Sequence, residues 1–159
     1  SDIKRGLLNF RGVQRRFNKI FSYNGIDFYD DYAHHPTEIK VVLEGVNKVY
    51  KDYDKVCIFQ PHRISRLKDL RKEFSFAFQD ADTVVLCPIY TAGEKIKLGF
   101  NYLNFAKEII KNSNVKLFLI NDNVQLAKFL KKNMYGKKIV IGMGAGSISN
   151  WMRNLPQLM

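Results

Sequence analysis

The sequence predicts an α/β fold in which a mostly parallel sheet is covered by helices on both faces. Short apolar segments rich in β-branched residues alternate with amphipathic segments whose apolar residues recur at helical spacing. Strands that are apolar along their whole length are typical of parallel sheets buried on both sides. An Asn24-Gly25 dipeptide between two apolar segments adds an N-terminal hairpin.

Local signals predict each element in turn. The apolar spacing predicts helices at 36–50, 67–78, 102–110, 122–130 and 148–155, and short apolar runs predict strands at 20–23, 26–29, 56–59, 83–86, 115–120 and 139–141. Pro36 suits the first turn of a helix, where its missing N–H is not needed. Asp122 and Gln125 form a capping box that begins another helix. The repeated order of strand and helix indicates the α/β class.

Length and composition limit the class of protein. The chain has 159 residues, 46% hydrophobic and 26% charged, which suits one globular domain. No stretch is apolar enough to span a membrane, and two cysteines are too few for a disulfide scaffold. We expect no signal peptide and a cytoplasmic, reducing location. Residues 1–12 are expected to be a linker remnant from a preceding domain, and 91–101 a mobile loop.

The charge of the chain has two interpretations. The formal net charge of +11 indicates either an anionic partner or a lysine-rich surface that keeps the protein in solution. No nucleic-acid-binding motif accompanies the charge, and from charge alone the two interpretations are about equally good.

Unusual polar residues follow four of the predicted strands. They form the segments DDYAHHP at 30–36, QPHRISR at 60–66, PIYTAGE at 88–94 and GMGAGS at 142–147. All three histidines lie in the first two segments. Because ligands of open α/β sheets bind outside the carboxyl ends of the strands, this clustering predicts one site at one edge of the sheet.

The residue types in these segments suit a small anionic ligand that carries an amine. Arg63 and Arg66 lie three apart at a strand-to-helix turn, where two guanidinium groups can grip a carboxylate or phosphate. His34 and His62 can orient or deprotonate an amine. Asp31 can accept hydrogen bonds from sugar hydroxyls.

Structural and metal-binding interpretations compete with this one. Asp31 can be a turn former, and His35 can be the N-cap before Pro36. His34, His35, His62 and Asp31 are also possible zinc or manganese ligands. We favour a site without metal, because adjacent histidines point in different directions and no carboxylate-rich motif completes a ligand set.

The glycine segment at 142–146 resembles a dinucleotide-binding fingerprint but departs from it. Ser147 stands where the third glycine of the fingerprint would be, so a tight strand-to-helix turn is the better interpretation. The sequence also has no G-x-x-x-x-G-K-[ST] phosphate-binding loop.

Taken together, five motifs resemble one known family. FRGVQRRF (10–17), DDYAHHPTE (30–38), FQPHRISR (59–66), IYTAGE (89–94) and MGAGSI (143–148) occur in the order and spacing found in the C-terminal domain of the UDP-N-acetylmuramate–L-alanine ligases, a branch of the Mur ligase family. The resemblance implies a Rossmann-like domain over 13–159. It also implies that N-terminal and central ATP-binding domains lie outside this sequence.

The resemblance also implies roles for the site residues. It implies that Arg63 and Arg66 hold the alanine carboxylate, that His34 and His62 are catalytic residues lining the pocket, that Tyr32 helps close it, and that Asp31 meets the ribose of ATP. Residues 90–94 and the glycine turn would shape the wall.

The implied reaction is the ATP-dependent formation of a carbon–nitrogen bond. The carboxylate of UDP-N-acetylmuramate becomes an acyl phosphate, which the amine of L-alanine attacks. ATP and Mg²⁺ would be held mainly by the central domain, so this domain would dock on its N-terminal and central domains and be inactive alone. No metal site, nucleic acid or membrane is expected for the domain itself.

Two alternatives stay open. The motif DDYAHHPTE also fits the related murein-peptide ligases, and the charge also fits a non-enzymatic module that binds polyanions. The chain has Ser147 where the family commonly has Asp after MGAG, which puts a polar role at that position in doubt.

Overall fold

The computed structural model describes residues 17–95 and 100–159, in which strands and helices alternate. The strands are β1 (Asn18–Tyr23), β2 (Ile26–Asp31), β3 (Asp54–Phe59), β4 (Thr83–Leu86), β5 (Lys116–Leu119) and β6 (Lys138–Met143). The helices are α1 (Pro36–Val49), α2 (Ile64–Asp69), α3 (Arg71–Ser75), α4 (Tyr102–Ser113), α5 (Asn123–Asn133) and α6 (Ile148–Leu158). The expected linker remnant at 1–12 and positions 96–99 of the expected mobile loop lie outside the described residues.

One six-stranded sheet has the strand order β1-β2-β6-β3-β4-β5. Strands β2, β6, β3, β4 and β5 run parallel to one another. Among the described strands, only β1 is antiparallel, and it pairs with β2. The last strand, β6, therefore lies between β2 and β3 and brings their carboxyl ends to either side of its own. The predicted fold class, a mostly parallel sheet with an N-terminal hairpin, is confirmed.

The hairpin turn has the backbone geometry that its sequence predicts. Asn24 and Gly25 both have positive φ angles, 53° and 75°. Two successive positive values define the tight turn that matches the twist of paired strands, and Asn-Gly is its preferred sequence.

Each face of the sheet carries its own apolar core. Buried side chains of α1 and α4, such as Val42 and Ile109, pack on one face with Cys57 and Phe59 of β3. Buried side chains of α5 and α6 pack on the other face with the alternate residues of the same strand, such as Ile58. This alternation along β3 confirms that helices cover both faces.

Two elements differ from their predictions. The single helix predicted over 67–78 is two short helices, because the backbone turns at Leu70 (φ −115°, ψ 22°). Beyond the turn Phe74 enters the core against Phe59. The strand predicted at 115–120 forms, but it is the edge of the sheet, so Phe118 and Leu119 stay 42% and 46% exposed rather than covered.

Both cysteines are buried. Cys57 and Cys87 are free and lie on opposite faces of the sheet, one in each core. Burial raises the pKa of each thiol well above its ordinary value, which keeps both protonated. Within 17–95 and 100–159, none of the helices is both long and apolar enough to cross a membrane.

Candidate functional site

The carboxyl edge of the sheet brings the first two histidine-bearing segments together. Since β6 lies between β2 and β3, its glycine turn bridges the two segments. Gly144 N donates to Asp31 O at 3.3 Å, and Gln60 N donates to Met143 O at 3.1 Å. The prediction of one cluster at one edge of the sheet is confirmed for His34 and His62.

A row of four rings forms the centre of this edge. The ring centroids of Tyr32 and His34 are 5.2 Å apart, and those of His34 and His62 are 5.9 Å apart. Tyr90 then stacks on His62 at 5.4 Å with an interplanar angle of 22°. Three segments that are distant in sequence therefore supply one continuous surface of aromatic and imidazole rings.

Their hydrogen bonds fix the protons of the two imidazoles. Arg66 Nη1 lies 3.2 Å from His62 Nδ1, and a guanidinium only donates, so this nitrogen accepts and neutral His62 carries its proton on Nε2. His34 Nδ1 lies 3.0 Å from Tyr32 O, and a carbonyl only accepts, so neutral His34 keeps its lone pair on Nε2. The remaining nitrogens have opposite chemistry: His62 offers a donor and His34 an acceptor.

His62 is held in its neutral form. Burial lowers its pKa below the ordinary value of 6.5, and the charge of Arg66 lowers the pKa further. At neutral pH the ring therefore keeps the Nε2 donor that its bond to Arg66 assigns.

The arginine turn, which we define as residues 63–66, has an unusual backbone. Arg63 is exposed and has φ 74° and ψ 134°, a conformation that side-chain-bearing residues rarely adopt. Such a residue costs about 1–3 kcal/mol and persists where its surroundings hold it. Its N–H donates to Tyr90 O at 2.7 Å, within a short parallel bridge between His62 and Tyr90.

Glu94 contacts the same turn from the segment after β4. Its Oε1 accepts from Ile64 N at 2.7 Å and from Ser65 N at 3.3 Å. A hydrogen bond from the Ser65 side chain is the main reason that the pKa of the Glu94 carboxyl is below its ordinary value. Residues 90–94 thus hold the arginine turn at its start and just beyond it.

The glycine turn packs directly against the ring row. A Cβ on Gly146 would lie 2.4 Å from Cγ of Tyr90, so only glycine allows this ring its position. Gln60, which is buried, donates to Ser147 Oγ at 3.0 Å and accepts from Ile148 N at 3.0 Å. The polar group at position 147 therefore has a partner in the chain, and the interpretation as a tight, closely packed turn is confirmed.

Asp31 is 1% exposed, and its carboxylate bonds to the backbone. Oδ2 accepts from Phe17 N and Oδ1 from Ala33 N, both at 2.8 Å. These bonds give Asp31 a structural task at the end of β2, in keeping with the turn-forming alternative. Its contact with an ATP ribose stays a prediction.

His35 is separate from the cluster. It is the exposed N-cap of α1, where its side chain accepts from Thr37 N and Glu38 completes a capping box. The N-cap interpretation is confirmed. Over 17–95 and 100–159, no group of three or more His, Cys, Asp or Glu side chains is arranged to hold a metal ion.

Sequence patterns missed three supporting contacts of the site. They are the cap that Glu94 provides, the links made by Gln60 and the contact of Gly146 with Tyr90. Each joins segments 30 to 88 residues apart, or packs a glycine on a distant ring, so no local spacing reveals it. Gln60 and Glu94 lie at the ends of the polar segments 60–66 and 88–94, and their place in those segments was the signal that the sequence offered.

Comparisons with known proteins agree with this arrangement. A sequence profile described as "Mur ligase, glutamate ligase domain" matches residues 15–146. The chain belongs to this family. The resemblance that the five motifs predicted is therefore confirmed at the level of the family and its C-terminal domain.

Two curated relatives of this Mur ligase domain are both named UDP-N-acetylmuramate–L-alanine ligase. The chain is 69% identical over 156 residues to the UDP-N-acetylmuramate–L-alanine ligase of Pelagibacter ubique (strain HTCC1062). The match covers 98% of this chain and 34% of that relative. Its identity to the ligase of that name from Bartonella tribocorum is 40% over 154 residues, covering 97% and 32%. The chain thus spans about a third of the length of these curated relatives.

Solved structures match the same third of longer chains. The UDP-N-acetylmuramate-alanine ligase of Thermotoga maritima has a TM-score of 0.70 and 28% identity, covering 96% of this chain and 31% of that one. A murein peptide ligase from Psychrobacter arcticus has a TM-score of 0.71 at 19% identity, covering 91% and 30%, and supports the fold alone.

Proposed function

We propose that this chain is the C-terminal domain of a cytoplasmic, ATP-dependent ligase that joins L-alanine to UDP-N-acetylmuramate in peptidoglycan synthesis. The observation that carries the proposal is the 69% identity, across 98% of the chain, to a ligase of that name. The site geometry supports it, because cationic, donor and acceptor groups stand side by side at one edge of the sheet.

In this proposal the arginine turn binds the carboxylate of alanine. Arg63 is exposed at the turn, and Arg66, half-buried, is bonded through Nη1 to both Nδ1 and the carbonyl of His62. A fixed guanidinium loses little freedom when it binds a carboxylate. The donor on His62 Nε2 adds a neutral hydrogen bond to the same anion.

The amine of alanine lies on the other side of the ring row. The ammonium group must lose a proton before its nitrogen can attack the activated carboxyl group, and His34 Nε2 offers the lone pair that accepts one. Tyr32 packs edge-on against His34 and helps close the pocket. Holding both ends of alanine converts an encounter into an oriented, effectively unimolecular step.

ATP and Mg²⁺ do not fit the described residues by themselves. The sequence has no phosphate-binding loop, and residues 17–95 and 100–159 hold no cluster of metal ligands. We therefore assign both mainly to a central domain of the longer protein, with Asp31 as the predicted contact to the ribose. The present domain binds and orients the amino acid and docks on the other two domains.

The division of labour is tested by comparing this chain with the full-length protein that contains it. With ATP, Mg²⁺, UDP-N-acetylmuramate and L-alanine, we expect the full-length protein to form UDP-N-acetylmuramoyl-L-alanine and the 159-residue chain to form none. Product is measured by mass spectrometry. Turnover with an alanyl peptide but not with free L-alanine would contradict the proposal and favour a murein-peptide ligase.

A further inference from the structure

We propose that Glu94 is a positioning residue that holds the Arg63–Arg66 turn in the shape that binds the amino-acid carboxylate. This inference rests on the proposed function. The role is unexpected from charge alone, because the negative charge of Glu94 lies beside a cationic site that is proposed to bind an anion.

The turn lacks a cap of its own. Arg63 occupies the N-cap position of α2, and its side chain makes no capping hydrogen bond. The first N–H groups of a helix have no partner within the helix and need an acceptor from elsewhere. Glu94 supplies that acceptor from 30 residues away, at 2.7 Å from Ile64 N and 3.3 Å from Ser65 N.

Two contacts from one loop hold the unfavourable backbone of Arg63. Tyr90 O accepts from Arg63 N on one side, and Glu94 accepts from Ile64 N on the other. Without the second contact, rotation at Arg63 toward an ordinary φ would relieve the strain. Such a rotation would move the guanidinium of Arg63 out of the position that the turn gives it, where the carboxylate is expected to bind.

The acceptor oxygen, rather than the charge, is the part of Glu94 that this role requires. A glutamine keeps Oε1 and can cap the same N–H groups, whereas an alanine removes the acceptor. Glutamine also removes a negative charge close to Arg63, which favours binding of an anion. The two substitutions therefore separate capping from electrostatics.

The test uses the full-length protein with Glu94→Ala, Glu94→Gln and the control Glu44→Ala, at an exposed position on α1. We expect Glu94→Ala to raise the KM for L-alanine about tenfold, because it leaves the N–H groups of Ile64 and Ser65 in the arginine turn without their acceptor. We expect a much smaller change in kcat and unchanged KM for ATP. Glu44→Ala should keep the parental KM for L-alanine, and Glu94→Gln should keep it or lower it, because the acceptor oxygen stays while the negative charge beside Arg63 is lost.

Hydrogen–deuterium exchange of the peptide spanning 61–70 gives a second readout that needs no turnover. Exchange should accelerate in Glu94→Ala and stay at the parental rate in Glu94→Gln. Parental exchange in Glu94→Ala, or faster exchange with an unchanged KM for L-alanine, would overturn the role of Glu94. A parental enzyme that ignores L-alanine would instead refute the proposed function, and the exchange rates would still decide whether Glu94 holds the turn.

Discussion

At the scale of single residues, the site depends on which nitrogen carries each proton. Arg66 donates a hydrogen bond to Nδ1 of His62, and the carbonyl of Tyr32 accepts one from Nδ1 of His34. The Nε2 atom of His62 is therefore a donor and that of His34 an acceptor. Two identical side chains thus acquire different tasks from their neighbours. The difference needs no change of residue type, only a guanidinium beside one ring and a carbonyl beside the other.

The coupling between Arg66 and His62 can be measured directly. Because the charge of Arg66 lowers the pKa of His62, Arg66→Ala should move the titration midpoint of His62 upward, toward 6.5. Burial, the larger cause, remains, so the shift should be partial. The His62 ring proton signal, followed by NMR across pH 4 to 8, reports the midpoint. A midpoint that Arg66→Ala leaves in place would contradict the assigned bond.

The sign of the pH effect on stability follows from the same shift. The folded state binds a proton at His62 less readily than the unfolded state. The contribution of neutral His62 to stability is therefore complete above pH 6.5 and is lost as pH falls through its lowered folded pKa.

At the scale of elements, a tight turn after β6 supports a ring that follows β4. Gly146 lies against Tyr90, so Gly146→Ala should displace the ring, loosen its stack on His62 and lower the free energy of unfolding. We expect a loss of about 1–3 kcal/mol, the usual effect of overpacking. Urea unfolding measures it.

A double variant separates the clash from other effects. If Tyr90 is the group displaced, Gly146→Ala should cost clearly less in a Tyr90→Ala background than in the parent. Equal losses in the two backgrounds would show that the ring is not the obstacle.

The hairpin turn and the helix start were predictable from the sequence, but the position of each strand within the sheet was not. Asn24-Gly25 and Pro36 act through their own backbones, so the hairpin and the start of α1 follow from a few residues. The insertion of β6 between β2 and β3 depends on packing over the whole chain, as does the exposure of β5 at the edge. The bend at Leu70 escaped prediction because the apolar spacing continues through it.

The same distinction holds for the candidate site. The histidine-bearing loops and the arginine pair stand in the sequence as short motifs, and the structure brings His34 and His62 together. The proton positions and the cap from Glu94 arise only when distant segments meet. Chemistry-bearing residue types were therefore predictable, while the contacts that orient them were not.

At the scale of the whole molecule, the net charge of +11 resides mainly on exposed lysines. Lys55 is an exception among the described residues, since it is buried with Asp82 as its partner. The exposed lysines are spread over several helices, which agrees with a solvated surface rather than one binding stripe.

Binding to duplex DNA tests the alternative of a polyanion module. We expect only non-specific binding, with a Kd no tighter than about 10⁻⁶ M at physiological salt. Fluorescence anisotropy with a labelled duplex measures it. Tight, salt-dependent binding that is lost with surface lysines and kept in Arg63→Ala would favour the module over the ligase domain.

The arginine turn is the part of this domain that we propose binds the amino acid. The most direct test is the KM for L-alanine of the full-length protein with Arg63→Ala, beside Lys131→Ala, which removes an exposed charge from α5. Losing a charge-assisted hydrogen bond should raise this KM by about tenfold or more in Arg63→Ala and leave Lys131→Ala at the parental value. Parental alanine kinetics in Arg63→Ala would contradict binding of the carboxylate by the arginine turn.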